Sequence, residues 1–275
     1  MAYANLVPAT VTENTCIFPN RDLPDEDVAF EYRCREVLIG KHTLKLTTTA
    51  ICVDELGPEG IGLAIWPGTH VMARIILRLE ERGELAGKTV LDLGCGTGML
   101  GILARMAGSG PVVLADCEAG VRELAETNVS VNKVPEVSVQ AMSWGSPEEL
   151  EKSKKIEQGP FDIVLLSELL YVAQPLCVPW ELDQAEVNRL ASLTKATLHP
   201  QGVAWVTYGN REDTGADQFK AAAAKNHLHC AELDLSDILP EDELSLPKSS
   251  PLSRVLVFSL THATGPPESS QLKKK

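Results

Sequence analysis

From Thr89 onward the chain repeats one pattern, a short apolar run followed by a longer amphipathic stretch. The runs TVLDLG (89–94), VVLADC (112–117), VSVQAMS (137–143), FDIVLLSE (161–168) and VAWVTYG (203–209) read as strands. Stretches at roughly 98–107, 119–132 and 183–197 read as helices between them. Continuous apolar segments such as IVLL suit parallel strands covered on both faces. The alternation predicts a doubly wound α/β sheet. After the helical DQFKAAAAKNHL (217–228) come HCAELDLS (229–236) and RVLVFSLTH (254–262), with no helix between them. Their proline-punctuated loop predicts an antiparallel pair. The sheet should therefore have seven strands and end in a C-terminal antiparallel hairpin, unlike the all-parallel six of a standard dinucleotide fold.

Upstream, YRCREVLIGKHTLKLTTTA (32–50) alternates in pieces around Gly40 and Lys41, which predicts an N-terminal β-hairpin extension. A glycine-bearing loop, DELGPEGIG (54–62), follows. Pro67-Gly68 then opens a stretch with apolar residues at 71, 72, 75, 76 and 79, one face of a helix. The expected organisation is a loose arm (1–31), the hairpin and helix (32–86), the core (87–262) and a disordered tail (263–275) rich in proline, serine and lysine.

Composition narrows the function. The formal net charge of −13 disfavours a protein that grips nucleic acid through its phosphates. It suits a basic partner, such as a lysine-bearing protein segment. No apolar run approaches the roughly 18 residues of a membrane span, and the polar, acidic first 30 residues do not read as a secretory signal. The seven cysteines (16, 34, 52, 95, 117, 177 and 230) are odd in number, widely spaced and without a CxxC pair, so reduced thiols in a cytoplasmic, or also nuclear, protein are expected. HLHC (227–230) has no second ligand cluster nearby, so no metal site is expected. The protein is expected to be a monomer.

The chemistry concentrates in TVLDLGCGTGMLGILA (89–104), which carries two overlapping glycine patterns. Gly96, Gly98 and Gly101 satisfy the dinucleotide pattern G-x-G-x-x-G, whereas Asp92 with Gly94, Gly96 and Gly98 reads D-x-G-x-G-x-G. In a dinucleotide fold the first glycine directly follows the first strand. That strand ends at Leu93, so the pattern should begin at Gly94 and requires glycine where Met99 stands. The second register therefore wins, and Gly101 is left to let the helix pack closely on the sheet. Asp92 can then organise the turn and accept hydrogen bonds, directly or through water, from the amino acid portion of a cofactor. Asp116, at the end of the second strand, can receive both hydroxyls of a ribose.

VLDLGCGTGMLGI followed by Asp116 resembles motif I and the next acidic position of class I, seven-strand S-adenosylmethionine-dependent methyltransferases. GLAIWPG, SWG after the third strand, SELLY after the fourth, and Tyr208 with Arg211 resemble the protein-lysine methyltransferase branch related to the enzymes acting on valosin-containing protein and elongation factors. The resemblance covers about residues 32–262. It implies a Rossmann-like methyltransferase fold, S-adenosylmethionine as cofactor and a lysine side chain of a protein as acceptor.

Carried onto this chain, it implies cofactor contacts from Trp66, Asp92, Gly94, Cys95, Gly96, Thr97, Gly98, Asp116, Trp144 and Ser167. Trp66 reads equally well as the anchor of the next helix, and Trp144 as a core residue. The branch carries Asp-x-x-Tyr where this chain has Glu168-Leu-Leu-Tyr171; Glu168 would orient the incoming amine and Tyr171 would close the lysine channel. Trp180 and Trp205 read as packing residues. The Asn/Asp-Pro-Pro-Tyr motif of nucleobase methylation is absent. Other acceptors (arginine, histidine or a small molecule), a non-catalytic binding protein and an NAD-dependent oxidoreductase are the alternatives.

Overall fold

Alternate residues of the central strands belong to opposite apolar clusters, which is how one sheet comes to be covered on both sides. A computed structural model describes residues 13–15, 32–49, 62–156, 158–170, 184–209, 215–240 and 255–263. Its main sheet contains β4 (Val90–Leu93), β5 (Val112–Asp116), β6 (Val137–Ala141), β7 (Phe161–Ser167), β8 (Leu198–Gly209), β9 (Leu228–Leu233) and β10 (Val255–His262). The spatial order is β6-β5-β4-β7-β8-β10-β9. β10 is the reversed strand, pairing antiparallel with both β8 and β9. The doubly wound seven-stranded sheet with its antiparallel end is as expected, and the last strand is inserted beside β8.

Val90, Val112, Leu114, Ile163, Leu165, Trp205 and Val257 face one cluster, shared with α1 (Pro67–Glu81), α2 (Met99–Met106) and α3 (Ala119–Asn132). Their neighbours Leu91, Val113, Val164, Leu166, Val206 and Phe258 face the other, shared with α4 (Pro147–Ser153), α5 (Gln184–Thr197) and α6 (Gly215–Lys225). This period of two on a sheet apolar on both faces is why the parallel strands read as unbroken hydrophobic runs.

The expected hairpin is β2 (Tyr32–Ile39) with β3 (His42–Thr49), antiparallel about Gly40 and Lys41. Val37, Ile39, Leu44 and Leu46 are buried in the same cluster as α1 and α2, so the hairpin shares the core. The expected loose arm needs correction at one place. Glu13–Thr15 form a short strand, β1, paired with β2, so this second sheet has three strands. The alternation that betrays a strand is too short to read in three residues. The tail beyond Ala263, and the rest of the arm, lie outside the described residues.

Two further departures have local causes. Strand β8 begins at Leu198, directly after α5, and residues 199–202 bulge between the Phe161↔Leu198 and Ile163↔Val203 pairs. The apolar run marks this strand only from Val203, whereas the structure extends it back through Pro200 and Gly202; a bulge is where a strand tolerates proline. Helix α4 was not expected; Ser146 and Glu149 form a reciprocal capping box around Pro147 at the first helical position.

Gly101 behaves as the register argument requires. A Cβ there would fall on Leu114 of β5 and lie 3.0 Å from a Val112 methyl. Gly101→Ala should destabilise the protein by about 1–3 kcal/mol through overpacking, despite the roughly 1 kcal/mol that alanine gains in helix propensity. Urea unfolding checks this; an unchanged midpoint would show that α2 can move off the sheet.

Candidate functional site

At the carboxyl end of β4 the backbone turns through three left-handed residues, Gly94 (φ +65°), Gly96 (φ +53°) and Gly98 (φ +76°), before α2 begins at Met99. Side chains are excluded as well as disfavoured. A Cβ on Gly94 would strike Leu169, and one on Gly96 would lie 2.9 Å from the Gly62 carbonyl oxygen. The turn is thus packed between the segment following β7 and the loop before α1. The Cys95 N–H donates to the Ala115 carbonyl at 3.0 Å, tying it to β5.

Two carboxylates hold this turn, Asp92 buried and Asp116 half-buried. Asp92 is 1% exposed, and its Oδ2 accepts the Gly101 N–H at 2.9 Å, fixing the first turn of α2 against β4. Burial pushes its carboxyl up to about 7; the Gly101 bond opposes this and the Asp116 charge adds to it. Asp116 ends β5. Its Oδ2 accepts from Gly96 N–H and its Oδ1 from Glu118 N–H, each at 3.2 Å. Burial raises its pKa too, against those backbone bonds and the nearby Arg122 charge. Arg122 donates to the carbonyls of Asp116 and Cys117 at 3.0 and 2.6 Å, anchoring the strand end to α3.

The residues fit an adenosine cofactor on two counts. The turn brings backbone to its surface without a Cβ in the way. The Asp116 oxygens, with about four lone-pair sites between them, keep acceptor capacity for a pair of hydroxyls. Asp92 is so deeply buried that its visible work is to organise the turn.

Thr97 is 4% exposed, and its carbonyl accepts from Asn128 Nδ2 at 2.8 Å. Cys95 is buried; burial, with Asp92 and Asp116 nearby, pushes its thiol well above its ordinary value, the opposite of an activated nucleophile. Ser167 donates to the Thr69 hydroxyl at 3.4 Å and accepts from Thr207 at 3.3 Å, linking β7 to α1 and β8. Trp66 is the N-cap residue of α1, half-buried, with its carbonyl accepting from Thr69 N–H at 3.0 Å. Trp144 packs at the margin of the second core cluster. Arg189 of α5 donates to the carbonyls of Trp144 and Gly145, both at 2.6 Å, which pins the SWG segment.

Glu168 follows β7 directly and is 5% exposed. Its backbone is left-handed (φ +60°), a conformation that costs a glutamate about 1–3 kcal/mol and persists where the surrounding structure holds it. Oε1 accepts the Gly68 N–H in the first turn of α1 at 2.7 Å, and Oε2 accepts the Gly209 N–H at the end of β8 at 3.2 Å. The positive end of the α1 dipole therefore meets this carboxylate. A Cβ on Gly68 would lie 2.6 Å from Oε1, so the contact requires glycine.

Asp92, Gly94–Gly98 and Asp116 are thus joined by hydrogen bonds around one turn, with Ser167 at the end of the adjacent strand and Glu168 directly after it. Tyr171, Arg211 and Trp180 lie outside the described residues. Tyr208 is fully buried and Trp205 is a core residue. Gly68, Gly209 and Asn128 were not read from the sequence, since their partners lie 100, 41 and 31 positions away. Among the described residues Cys95, Cys117 and Cys230 are free thiols, no cluster of metal-ligating side chains occurs, and no helix is long and apolar enough to cross a membrane.

A family model described as lysine methyltransferase matches residues 45–217, more than half of the chain. The ribosomal protein L11 methyltransferase of Bacteroides fragilis is 34% identical over 103 residues, 38% of this chain and 34% of that protein. The protein of the same name from Chlorobaculum parvum is 33% identical over 118 residues, 40% of this chain and 39% of its own. The chain thus spans little more than a third of the length of these curated relatives. Among solved structures, a Streptococcus mutans protein described as an S-adenosylmethionine-dependent methyltransferase aligns with a TM-score of 0.53 at 16% identity, covering 88% of this chain and 57% of that one. A methyltransferase solved with S-adenosylhomocysteine aligns with a TM-score of 0.55 at 17% identity, covering 86% and 57%. At these identities the structural likeness speaks to the fold.

The raised pKa of Asp92 has a stability consequence. Folding favours its protonated form, so its contribution is present below the ordinary carboxylate range and is lost as pH rises through about 7. Asp92→Asn, which keeps an acceptor for Gly101 without the charge, should gain stability relative to the wild type between about pH 4 and 7, by a few kcal/mol in order of magnitude. Denaturant unfolding of both proteins without cofactor across that range measures the difference. A gap that stays constant with pH would show that Asp92 titrates normally.

Proposed function

Since the chain belongs to the lysine methyltransferase family and S-adenosylmethionine is its cofactor, we propose that it methylates a lysine side chain of a protein, in the cytoplasm or the nucleus. The observation that carries this reading is Glu168, a carboxylate clamped by two backbone N–H groups on the strand next to the glycine turn. When bound, the cofactor supplies a methyl group on a positively charged sulfur.

The acceptor must meet that methyl as a neutral amine, because an ammonium has no lone pair to donate. Lysine ordinarily titrates near 10.4. A carboxylate alone would raise that value, whereas exclusion of water and a neighbouring cation lower it. Glu168 therefore acts as an orienter rather than a strong base. Its two oxygens already accept backbone hydrogen bonds, so the carboxylate stays in one place for the incoming amine. Aligning nitrogen, carbon and sulfur supplies much of the rate. Tyr171, which lies outside the described residues, is proposed from the resemblance alone to border the lysine channel. The net charge of −13 favours a basic, lysine-bearing segment as the substrate. The name of the curated relatives makes a ribosomal protein one acceptor worth including.

Incubation with cofactor labelled on the methyl group and a cell extract should label a protein band whose acid hydrolysate contains methyllysine. Methylarginine or methylhistidine in that hydrolysate, or label confined to small molecules, would overturn the assignment. Glu168→Ala should bind S-adenosylhomocysteine as the wild type does yet transfer on the order of 100-fold more slowly. The same change orphans the Gly68 and Gly209 N–H groups and should lower stability by about 2–4 kcal/mol in urea unfolding, so rates are compared well below the midpoint. Transfer at the wild-type rate would remove Glu168 from the site.

A further inference from the structure

Helix α3 presents Asn128 and Asn132 to the edge of β3, and each side chain grips one residue of that strand. Asn128 Oδ1 accepts the Thr47 N–H at 2.7 Å, and its Nδ2 donates to the Thr47 carbonyl at 3.1 Å. Asn132 treats Lys45 the same way, at 2.8 and 2.6 Å. The spacing works because four residues of helix rise about 6 Å and two residues of strand about 6.8 Å. Two amides on a helix thus stand in for the neighbouring strand that β3 lacks on this side.

Asn128 does one thing more. Its second N–H donates to the carbonyl of Thr97, inside the glycine turn, at 2.8 Å. Asn128 is fully buried and its amide is satisfied: one acceptor and both donors are in use. The Thr97 carbonyl and the Gly98 N–H belong to the same planar peptide. The N–H end of that peptide is held by the Cys95 carbonyl at 2.9 Å and the C=O end by Asn128. This peptide turns over about ψ of Thr97 and φ of Gly98, and glycine adopts either sign of φ with little penalty. Within the turn the Cys95 carbonyl holds its N–H end. Its C=O end is held from outside the turn, by Asn128.

We propose that Asn128 is a positioning residue for the cofactor: by holding the Thr97–Gly98 peptide in one orientation and β3 by the same amide, it couples the seating of the N-terminal hairpin to cofactor binding. The coupling acts on cofactor affinity and is independent of the acceptor. By linkage it must run both ways, so cofactor bound at the turn steadies β3 as β3 steadies the turn. Asn132 supplies the internal control. It docks the same strand, and its remaining donor goes to the Asn128 carbonyl at 2.7 Å rather than to the turn.

The test needs no acceptor, so it stands or falls separately from lysine methylation. Hydrogen exchange of the full chain should slow across residues 42–49 when S-adenosylhomocysteine is added. Calorimetry should show Asn128→Ala binding S-adenosylhomocysteine about tenfold more weakly, within the usual range of coupling between sites. Asn132→Ala should exchange faster in β3 yet bind within twofold of the wild type. Unchanged exchange in wild-type β3 on ligand addition overturns the proposal whether or not the Asn128 variant folds. So does Asn132→Ala weakening binding as much as Asn128→Ala, because affinity would then follow hairpin docking alone.

Discussion

The site hangs on one buried hydrogen bond, from the Gly101 N–H to the Asp92 carboxylate. It fixes where α2 begins relative to β4, and therefore the path that Gly94 to Gly98 must take between them. That path is left-handed at three positions and leaves no room for side chains beneath Leu169 or beside Gly62. A carboxylate that is 1% exposed is an expensive anchor, since burial pushes its pKa up to about 7. A neutral anchor of the same shape would avoid that penalty. The charge is explicable where a positively charged cofactor is to be held nearby.

The same logic extends outward from the turn. Asp116 holds Gly96 from β5, Asn128 holds Thr97 from α3, and Leu169 covers Gly94 from the segment following β7. Glu168 repeats the device one strand over, its carboxylate joining the start of α1 to the end of β8. Apart from the apolar Leu169, each of these side chains satisfies backbone groups that the regular ladders cannot reach, as the buried polar backbone demands. Because these bonds cross between β4, β5, β7, β8, α1 and α3, the cofactor turn and the proposed acceptor position form one connected frame.

Much of this was legible without coordinates. The apolar runs located all seven core strands, since a sheet covered on both faces needs uninterrupted hydrophobic strands. Asp92, Gly94 and Asp116 were legible because strand ends and glycine spacing are local properties. The capping box at Ser146 and Glu149 was equally legible and went unread, which is why α4 was missed. The start of β8 was legible only from Val203, because the bulged residues 199–202 carry no apolar run. The pairing of β1 with β2 left too short a trace to read.

What the chain alone determined was the order of strands and helices, the register of the glycine turn and the identity of the acids at strand ends. These follow from periodicity and from the backbone freedom of glycine, both of which act within a few residues. Only the tertiary structure decided that β10 inserts beside β8, that Glu168 meets the N–H groups of Gly68 and Gly209, and that Asn128 joins β3 to Thr97. Those partners lie between 31 and 100 residues apart. Their meeting depends on how helices and strands pack, a geometry that no short stretch of sequence contains.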